Sequence, residues 1–334
     1  MKRAIALISG GLDSILASCV VKEQGIDVFP VKFIIPFLSA KKSKDTFDKT
    51  ALVVKQKLGR ILEEIDIQEE FLEMMRYPQH GFGSNMNPCI DCKILMLKKA
   101  GQLLKAGQAD FLVTGEVLSQ RPMSQNKQAI NFIPGKAGLE RLILRPLCAK
   151  LLPVTLPEEK GWVMREKLFS INGRSRKAQM ELAEYFKIKD YAQPAGGCLL
   201  TDPDFSRRLK DLIAHKQLKS KNVQLLKLGR HFRLNNHTKL VVGRNQQENL
   251  ALEKMARPGD FLFYVDEDTA GPTAVGSGGM DDNLISLSCS VVARYSDIDK
   301  SKKTEIMFQK VANGKEEKAL VYPIDQESLS RIKI

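Results

Sequence analysis

No stretch of this 334-residue chain approaches the roughly 18 consecutive apolar residues of a membrane-crossing helix, which excludes a helical membrane protein. The opening MKRAIALISGG has two basic residues, but its apolar run is short and soon broken by glycines. It does not read as a secretory signal, and a cytoplasmic protein is expected. Internal repeats and low-complexity segments are lacking, so neither a solenoid nor a disordered tail is indicated. Acid is scarce: 39 Asp and Glu face 52 Lys and Arg, a formal net charge of +13. Such a surface suits a polyanion such as nucleic acid, although a solvated basic surface accounts for it equally. Only six cysteines occur, two of them as C-x-x-C, which is unlike a secreted disulfide framework and suits a redox or metal site in a reducing compartment.

With 43% hydrophobic residues the chain can build two or three cores. Residues 4–8 and 27–35 read as buried strands, 111–114 as another, and 13–24, 44–58 and 92–106 as helices. Strand and helix alternate over the first 150 residues, which predicts a doubly wound α/β parallel sheet. Residues 151–169 and 174–188 read as helices, the second capped near Ser175, followed by a Pro/Gly loop and a further helix. Beyond about residue 215 come short strands at 240–243, 261–265 and 285–292 and a helix at 246–256. The expected domains are therefore 1–200 and a smaller α+β module, 201–334.

The first strand ends in Ser9-Gly10-Gly11-Leu12-Asp13-Ser14. A Gly-Gly turn opening into a helix aims free N–H groups and the positive end of the helix dipole at one point, which suits a phosphate. Ser9 and Ser14 can add donors, and Asp13 can act only through Mg²⁺ or water. A plain turn that needs glycine is the alternative. The S-G-G-x-D-S hexapeptide resembles the pyrophosphate loop of PP-loop ATPases (adenine nucleotide alpha hydrolase-like fold), which adenylate a substrate with ATP. It lacks the G-K-S/T ending of a Walker loop, which argues against γ-phosphate transfer.

Two further stretches narrow the resemblance. NPCIDCKILMLKKA sets Cys89 and Cys92 around a helix start, where the dipole and Lys93 are expected to lower thiol pKa; two ordinary cysteines are the alternative. FLVTGEVLSQRPMSQ follows a strand, so Thr114, Gly115 and Glu116 should lie at the sheet edge that carries the first loop. Together with LILRPL, these motifs are similar in order and spacing to the PP-loop domain of the tRNA 4-thiouridine synthetase (ThiI) family, and more distantly to the 2-thiouridylases (MnmA), over about residues 1–200. The resemblance departs in having no THUMP-type RNA-binding extension before residue 9 and no evident rhodanese domain. It implies a tRNA-modifying sulfurtransferase: ATP and Mg²⁺ at Ser9, Gly10, Gly11, Asp13, Ser14, Thr114, Gly115 and Glu116, with Lys93 at phosphates or a thiolate. Gln120, Arg121, Ser124 and Gln125 would position the substrate. Glu116 is equally readable as a cap or surface residue.

Cys198, in PAGGCLLTDP, supplies a third thiol. Three thiolates can hold three irons of a 4Fe-4S cluster and leave the fourth iron open to a labile sulfide, an arrangement some PP-loop thiolation enzymes use. Three alternatives stay open. A persulfide mechanism would pair Cys198 with Cys89 or Cys92; Cys₃His zinc would need His80, His215, His231 or His237, none at familiar ligand spacing; and Cys198 could be a structural thiol. Cys19, Cys148 and Cys289 sit in apolar contexts and are expected to be buried.

Residues 207–239 hold ten Lys or Arg against one Asp, a density that favours phosphate contacts, with a solvated helix face as the alternative. KLVVGRNQQENLALEKMARPGDFLFYV with AGPTAVG resembles the RNA-binding part of NFACT proteins (NFACT-R). RNA contact is therefore expected at Arg207, Arg208, Arg230, Arg233, Arg244 and Asn245, with Asn249 beside them, unless Asn245 merely caps a helix. The expected partners are tRNA and a sulfur donor, either sulfide or a persulfide-carrying protein; a homodimer is compatible, a membrane is not. An RNA-binding adaptor that keeps the ATP fold, and a small-molecule PP-loop ligase, stand as alternatives.

Overall fold

The computed structural model describes the chain except residues 38–39, 192–197, 267 and 313 and the side chains of 40–48; the Pro194–Gly197 stretch before Cys198 thus lies outside the described residues. Two compact units are formed, Met1–Asp202 and Pro203–Ile334. In the first, β1 (Arg3–Leu7), β2 (Asp27–Ile34), β3 (Glu63–Asp66), β4 (Phe111–Thr114) and β5 (Ile143–Leu144) make a parallel sheet in the order β3-β2-β1-β4-β5. Alternation along β1 feeds two cores. Ala4 and Ala6 face one containing Ile15 and Leu16 of α1 (Leu12–Lys22), Val54 of α2 (Ala40–Leu58) and Ala183 of α7, which spans Lys177–Tyr185. Ile5 faces the other, with Ile94 and Leu97 of α4 (Cys89–Lys105) and Ala129 and Ile133 of α5, which spans Lys127–Ala137. Helix α3 (Gln68–Arg76) follows β3, and α6 (Leu156–Glu159) follows β5.

The chain winds outward from β1 to β2 and β3, then returns to the other side of β1 as β4. Neighbouring strands β1 and β4 therefore lead into connections of opposite direction, and a crevice opens at their carboxyl ends, where open α/β sheets take ligands.

The second unit starts with α8 (Pro203–Ala214) and α9 (Ser220–Leu225). It then forms β6 (Arg230–Arg233), β7 (Lys239–Val242), α10 (Gln246–Met255), β8 (Phe261–Tyr264), β9 (Ala274–Ser277), α11 (Asp282–Tyr295), β10 (Thr304–Lys310), β11 (Glu316–Val321) and α12 (Gln326–Ile332). The strands form a separate antiparallel sheet, order β11-β10-β8-β9-β7-β6. Phe232, Leu240 and Phe263 pack with Val292 of α11 and Leu329 of α12, whereas Val241 and Val275 pack with Leu225 of α9 and Leu252 of α10.

Two elements differ from the sequence reading. Residues 285–292 belong to α11, not a strand: the alternation of ISLSCSVV mimics period 2, but Asp281 caps the helix by accepting from the Leu284 N–H (2.8 Å), and Ser288 returns its hydroxyl to the Leu284 carbonyl at 2.7 Å. Residues 151–169 carry only the one-turn α6 and two short 3₁₀ turns, because Pro153 and Gly161 bracket the turn in whose first positions Pro157 is tolerated. No helix among the described residues is long and apolar enough to cross a membrane.

Candidate functional site

The turn after β1 is fixed from within. Gly10 has φ +84°, the left-handed region that glycine enters at no steric cost. Ser14 is buried; its Oγ donates to the Gly11 carbonyl at 2.8 Å and accepts from the Ser9 N–H at 3.2 Å. Of the two hydroxyls expected to face a phosphate, Ser14 thus closes the turn, and Ser9 is the exposed one. Gly11, the N-cap of α1, offers no side-chain acceptor, and the Ser14 N–H donates to the Gly11 carbonyl at 3.2 Å, so the Leu12 and Asp13 N–H groups are the ones left uncapped at the helix start.

The exit of β4 packs directly on this turn. A Cβ on Gly115 would lie 2.4 Å from the Ser14 nitrogen and 2.5 Å from the Asp13 carbonyl carbon, so Thr114-Gly115-Glu116 and the glycine turn share the crevice. The Asp13 carboxylate accepts from Gln120 Nε2 at 3.0 Å and from Arg176 Nη2 at 3.4 Å. Buried Thr114 donates its hydroxyl to Glu116 Oε2 at 3.2 Å.

Glu116 is neither a cap nor a surface residue. Its carboxylate joins Lys93 Nζ of α4 and Arg145 Nε, the latter at 2.8 Å. Those two cations hold it down to about 2 against the pull of burial. Lys93 is therefore committed to Glu116, and Arg145, the arginine of LILRPL, is the second partner; a long-range trio of this kind leaves no local spacing for a sequence to display. Because the folded pKa lies below the ordinary 4.5, the stability this carboxylate contributes is full above that value and lost as pH falls toward 2, on the order of 3 kcal/mol. Chemical denaturation at pH values on either side of this window should show the loss in wild type and not in Glu116→Gln.

Both Cys89 and Cys92 lie in the first turn of α4, after Pro88. Cys89 Sγ donates to Asn87 Oδ1 at 3.1 Å, and Asp91 accepts from the His80 backbone N–H (2.9 Å) and pairs with His80 Nδ1 at 2.8 Å. Cys198 is brought alongside by main-chain stitches: the Met86 N–H donates to the Leu200 carbonyl (3.2 Å) and Asn85 Nδ2 to the Thr201 carbonyl (2.8 Å). The three thiols are close enough to influence one another, for Cys89 raises the pKa of both Cys92 and Cys198, and Cys198 that of Cys92. The expected lowering at the helix start is not what the structure gives. Burial and the neighbouring thiols push Cys92 up to about 12, outweighing Lys93, and burial pushes Cys198 up against the opposing Arg121 charge. Among the described residues no group of three His, Cys, Asp or Glu side chains is arranged to hold a metal ion. Cys19, Cys148 and Cys289 are buried free thiols, as expected.

Near the crevice, Ser124 and Gln125 are buried, while Arg121 is exposed. Arg176 escaped the sequence reading; its only sign is the run Gly173-Arg174-Ser175-Arg176-Lys177 ahead of α7.

In the second unit most of the basic residues singled out have internal partners. Arg233 pairs with Asp211 and donates to Gln217 Oε1 at 2.9 Å. Arg208 donates to the Leu226 carbonyl at 3.0 Å. Arg230 donates to the Gly243 carbonyl at 3.1 Å and lies over the Tyr295 ring. Arg244 pairs with Glu248 at 2.5 Å, Asn245 caps α10 by accepting from the Glu248 N–H, and Asn249 Nδ2 donates to the Gly271 carbonyl. Arg207 is exposed, paired with Asp204 at 2.6 Å.

A parallel sheet with a glycine turn and a Thr-Gly-Glu turn at its switch point, followed by an antiparallel module, defines a nucleotide-type α/β unit joined to a second, distinct unit. Residues 1–150 match the family model Thiamine biosynthesis protein (ThiI), and residues 229–332 match NFACT protein RNA binding domain. The first unit is thus similar to ThiI over its first 150 residues and the second to the NFACT RNA-binding domain over residues 229–332. Among curated proteins, a "Probable tRNA sulfurtransferase" of Thermococcus kodakarensis is 27% identical over 43% of this chain and 36% of its own length. A "tRNA-specific 2-thiouridylase MnmA" of Pelobacter propionicus is 32% identical over 34% of this chain and 33% of its own. The chain thus spans about a third of the length of these relatives. A solved 4-thiouridine synthetase–RNA complex with bound ATP aligns over 67% of this chain and 53% of that chain, at 18% identity and a TM-score of 0.40.

Proposed function

We propose that this chain is an ATP-dependent tRNA-thiolating enzyme. The observation that supports the reading is the packing of Gly115 on Asp13 and Ser14, which brings the glycine turn and the Thr-Gly-Glu turn together at one switch point, in a unit that also contains Cys89, Cys92 and Cys198. ATP lies with its phosphates at the uncapped start of α1 and on Ser9; Asp13 is the residue to hold Mg²⁺, directly or through water. A uridine-type carbonyl oxygen attacks the α-phosphorus and pyrophosphate leaves. A sulfur nucleophile then adds to the activated carbon and expels AMP, which carries away the original oxygen. Glu116 acts from behind, fixing Lys93 and Arg145.

A 4Fe-4S cluster is proposed on donor type alone. Cys89 and Cys92 share the first turn of α4 and Cys198 is drawn toward it through Leu200 and Thr201, so three sulfur ligands are on hand. The described residues do not stand in metal-binding geometry, and binding would have to draw them together and deprotonate them. Cys89, Cys92 and Cys198 would hold three irons, and the cluster would supply an iron open to sulfide. The sulfur comes from sulfide or a persulfide-carrying protein, and the second unit captures tRNA. Anaerobic purification with iron and sulfide analysis tests the cysteine assignment. Wild type is expected to hold about four irons per chain and Cys198→Ala to lose them; an iron-free, colourless anaerobic wild type would overturn the cluster and leave the persulfide route through Cys198. ATP turnover without tRNA binding would instead favour a small-molecule ligase, and tRNA binding without turnover an adaptor.

A further inference from the structure

Two loops of the first unit hold a residue in the left-handed region: Ser119 has φ +63° and Asn85 φ +59°. Asparagine enters that region readily, but serine does so at a cost and stays there only where its surroundings hold it. Ser119 is held from three sides. Before it, the Leu118 carbonyl accepts from the Gly173 N–H at 2.8 Å; its own N–H donates to the Gln125 carbonyl at 2.7 Å; after it, Gln120 Nε2 donates to Asp13 at 3.0 Å. This closed form of the 117–125 loop leaves Gln120 Oε1 and Gln125 Oε1 buried without a partner, and each such atom destabilises it.

The same loop leans on the loop that seats the cysteines. Met123 packs so closely over Gly83 that a Cβ there would lie 2.5 Å from its Sδ and Cε. The Gly83 N–H donates to the Asn87 carbonyl at 2.8 Å, and the Asn87 side chain accepts from Cys89 Sγ at 3.1 Å. In the same 83–87 loop, Asn85 and Met86 hold the Thr201 and Leu200 carbonyls, just beyond Cys198, at 2.8 and 3.2 Å. Arg121, next to Gln120, is close enough for its charge to act on Cys198. One loop therefore touches the Asp13 carboxylate through Gln120 and the support of Cys89 and Cys198 through Met123.

We propose that the 117–125 loop couples the nucleotide end of the unit to its cysteine end. The loop is clipped shut while Gln120 holds Asp13 and is released when Asp13 turns its carboxylate to Mg²⁺ and ATP; Met123 then carries the change to the 83–87 loop. Gln120 is the responsive end, because a neutral amide with a single hydrogen bond is a weaker partner for a carboxylate than a divalent cation. A ligand shifts an equilibrium only by its preference for one state, and competition for Asp13 supplies that preference. Strain at Ser119 and the two unpaired amide oxygens favour departure once the clip is gone. The consequence is an order of events: the cysteine loop loosens for sulfur delivery only after the nucleotide is in place. The inference rests on the reading of Asp13 as the residue that meets Mg²⁺ and ATP.

Amide hydrogen exchange of the full chain, with and without Mg²⁺ and α,β-methylene-ATP, tests it, with calorimetric titration of the same nucleotide as the control for binding. Peptides spanning 117–125 and 83–87 are expected to exchange about 5-fold faster or more when both are present, the lower end of ordinary coupling between sites. With the nucleotide in EDTA they should exchange as in the free protein. Met123→Ala should bind the nucleotide as wild type does and keep the response at 117–125 while losing it at 83–87. Gln120→Leu should exchange fast at 117–125 without any nucleotide. Unchanged or slower exchange at 117–125 in nucleotide-bound wild type, no response at 83–87, or a response there that survives Met123→Ala would each overturn the coupling and leave the ATP reading standing. A wild type that binds no nucleotide in the titration would overturn both.

Discussion

Gly115→Ala is expected to abolish ATP binding while leaving the RNA affinity of the second unit intact. The added methyl would come within 2.4 Å of the Ser14 nitrogen and 2.5 Å of the Asp13 carbonyl carbon and Ser14 Cα. These are main-chain atoms in the first turn of α1, held by Ser14 to Gly11, so no flexible side chain can yield. Either the β4 exit or the start of α1 must move, and both carry the proposed site. Misplacement of a positioning element by about 1 Å commonly costs about 100-fold. Titration with ATP and a gel shift with tRNA read the two effects separately; wild-type ATP affinity in Gly115→Ala would show that the two turns do not form one site.

Removal of the Glu116 carboxylate should unfold the first unit's charge centre. Glu116 and Arg145 side chains are 13% and 7% exposed, and Lys93 is 19% exposed, so Glu116→Ala leaves two cations largely out of water without their anion. Breaking a buried pair in this way costs about 3–5 kcal/mol, a large share of the margin of an ordinary domain. Glu116→Ala combined with Arg145→Met should regain part of the loss, because one of the stranded charges goes with it. Chemical denaturation measures both; a Glu116→Ala protein as stable as wild type would mean that Lys93 and Arg145 find other partners.

What the sequence disclosed and what it withheld follow from the range of the forces involved. The glycine turn and Thr114-Gly115-Glu116 were readable because each is a strand end followed by a helix or loop with its own local chemistry, and parallel sheets line such ends along one edge. The role of Glu116 was hidden, since its partners lie 23 and 29 residues away. The sign of the Cys92 shift is not local: a helix start and an adjacent lysine argue for a lowered thiol pKa, but folding takes Cys92 partly out of water, brings Cys198 near it and turns Lys93 to Glu116. Asn245 and Arg244 show the same limit in the second unit. Their V-G-R-N signature is visible in one dimension, whereas the cap on Glu248 and the ion pair with it appear only once α10 is formed. In α11, the Ser288 hydroxyl, part of the alternation that reads as a strand, is satisfied inside the helix.

The central claim is that ATP cleavage in the first unit activates a tRNA base for sulfur insertion. Its most direct measurement follows AMP, pyrophosphate and thionucleoside together in one anaerobic reaction of the intact chain with tRNA, ATP, Mg²⁺ and sulfide. AMP and pyrophosphate are expected to form in step with thionucleoside, and all three to vanish in Asp13→Ala. ATP cleavage that proceeds equally without tRNA, with no sulfur entering the RNA, would contradict it.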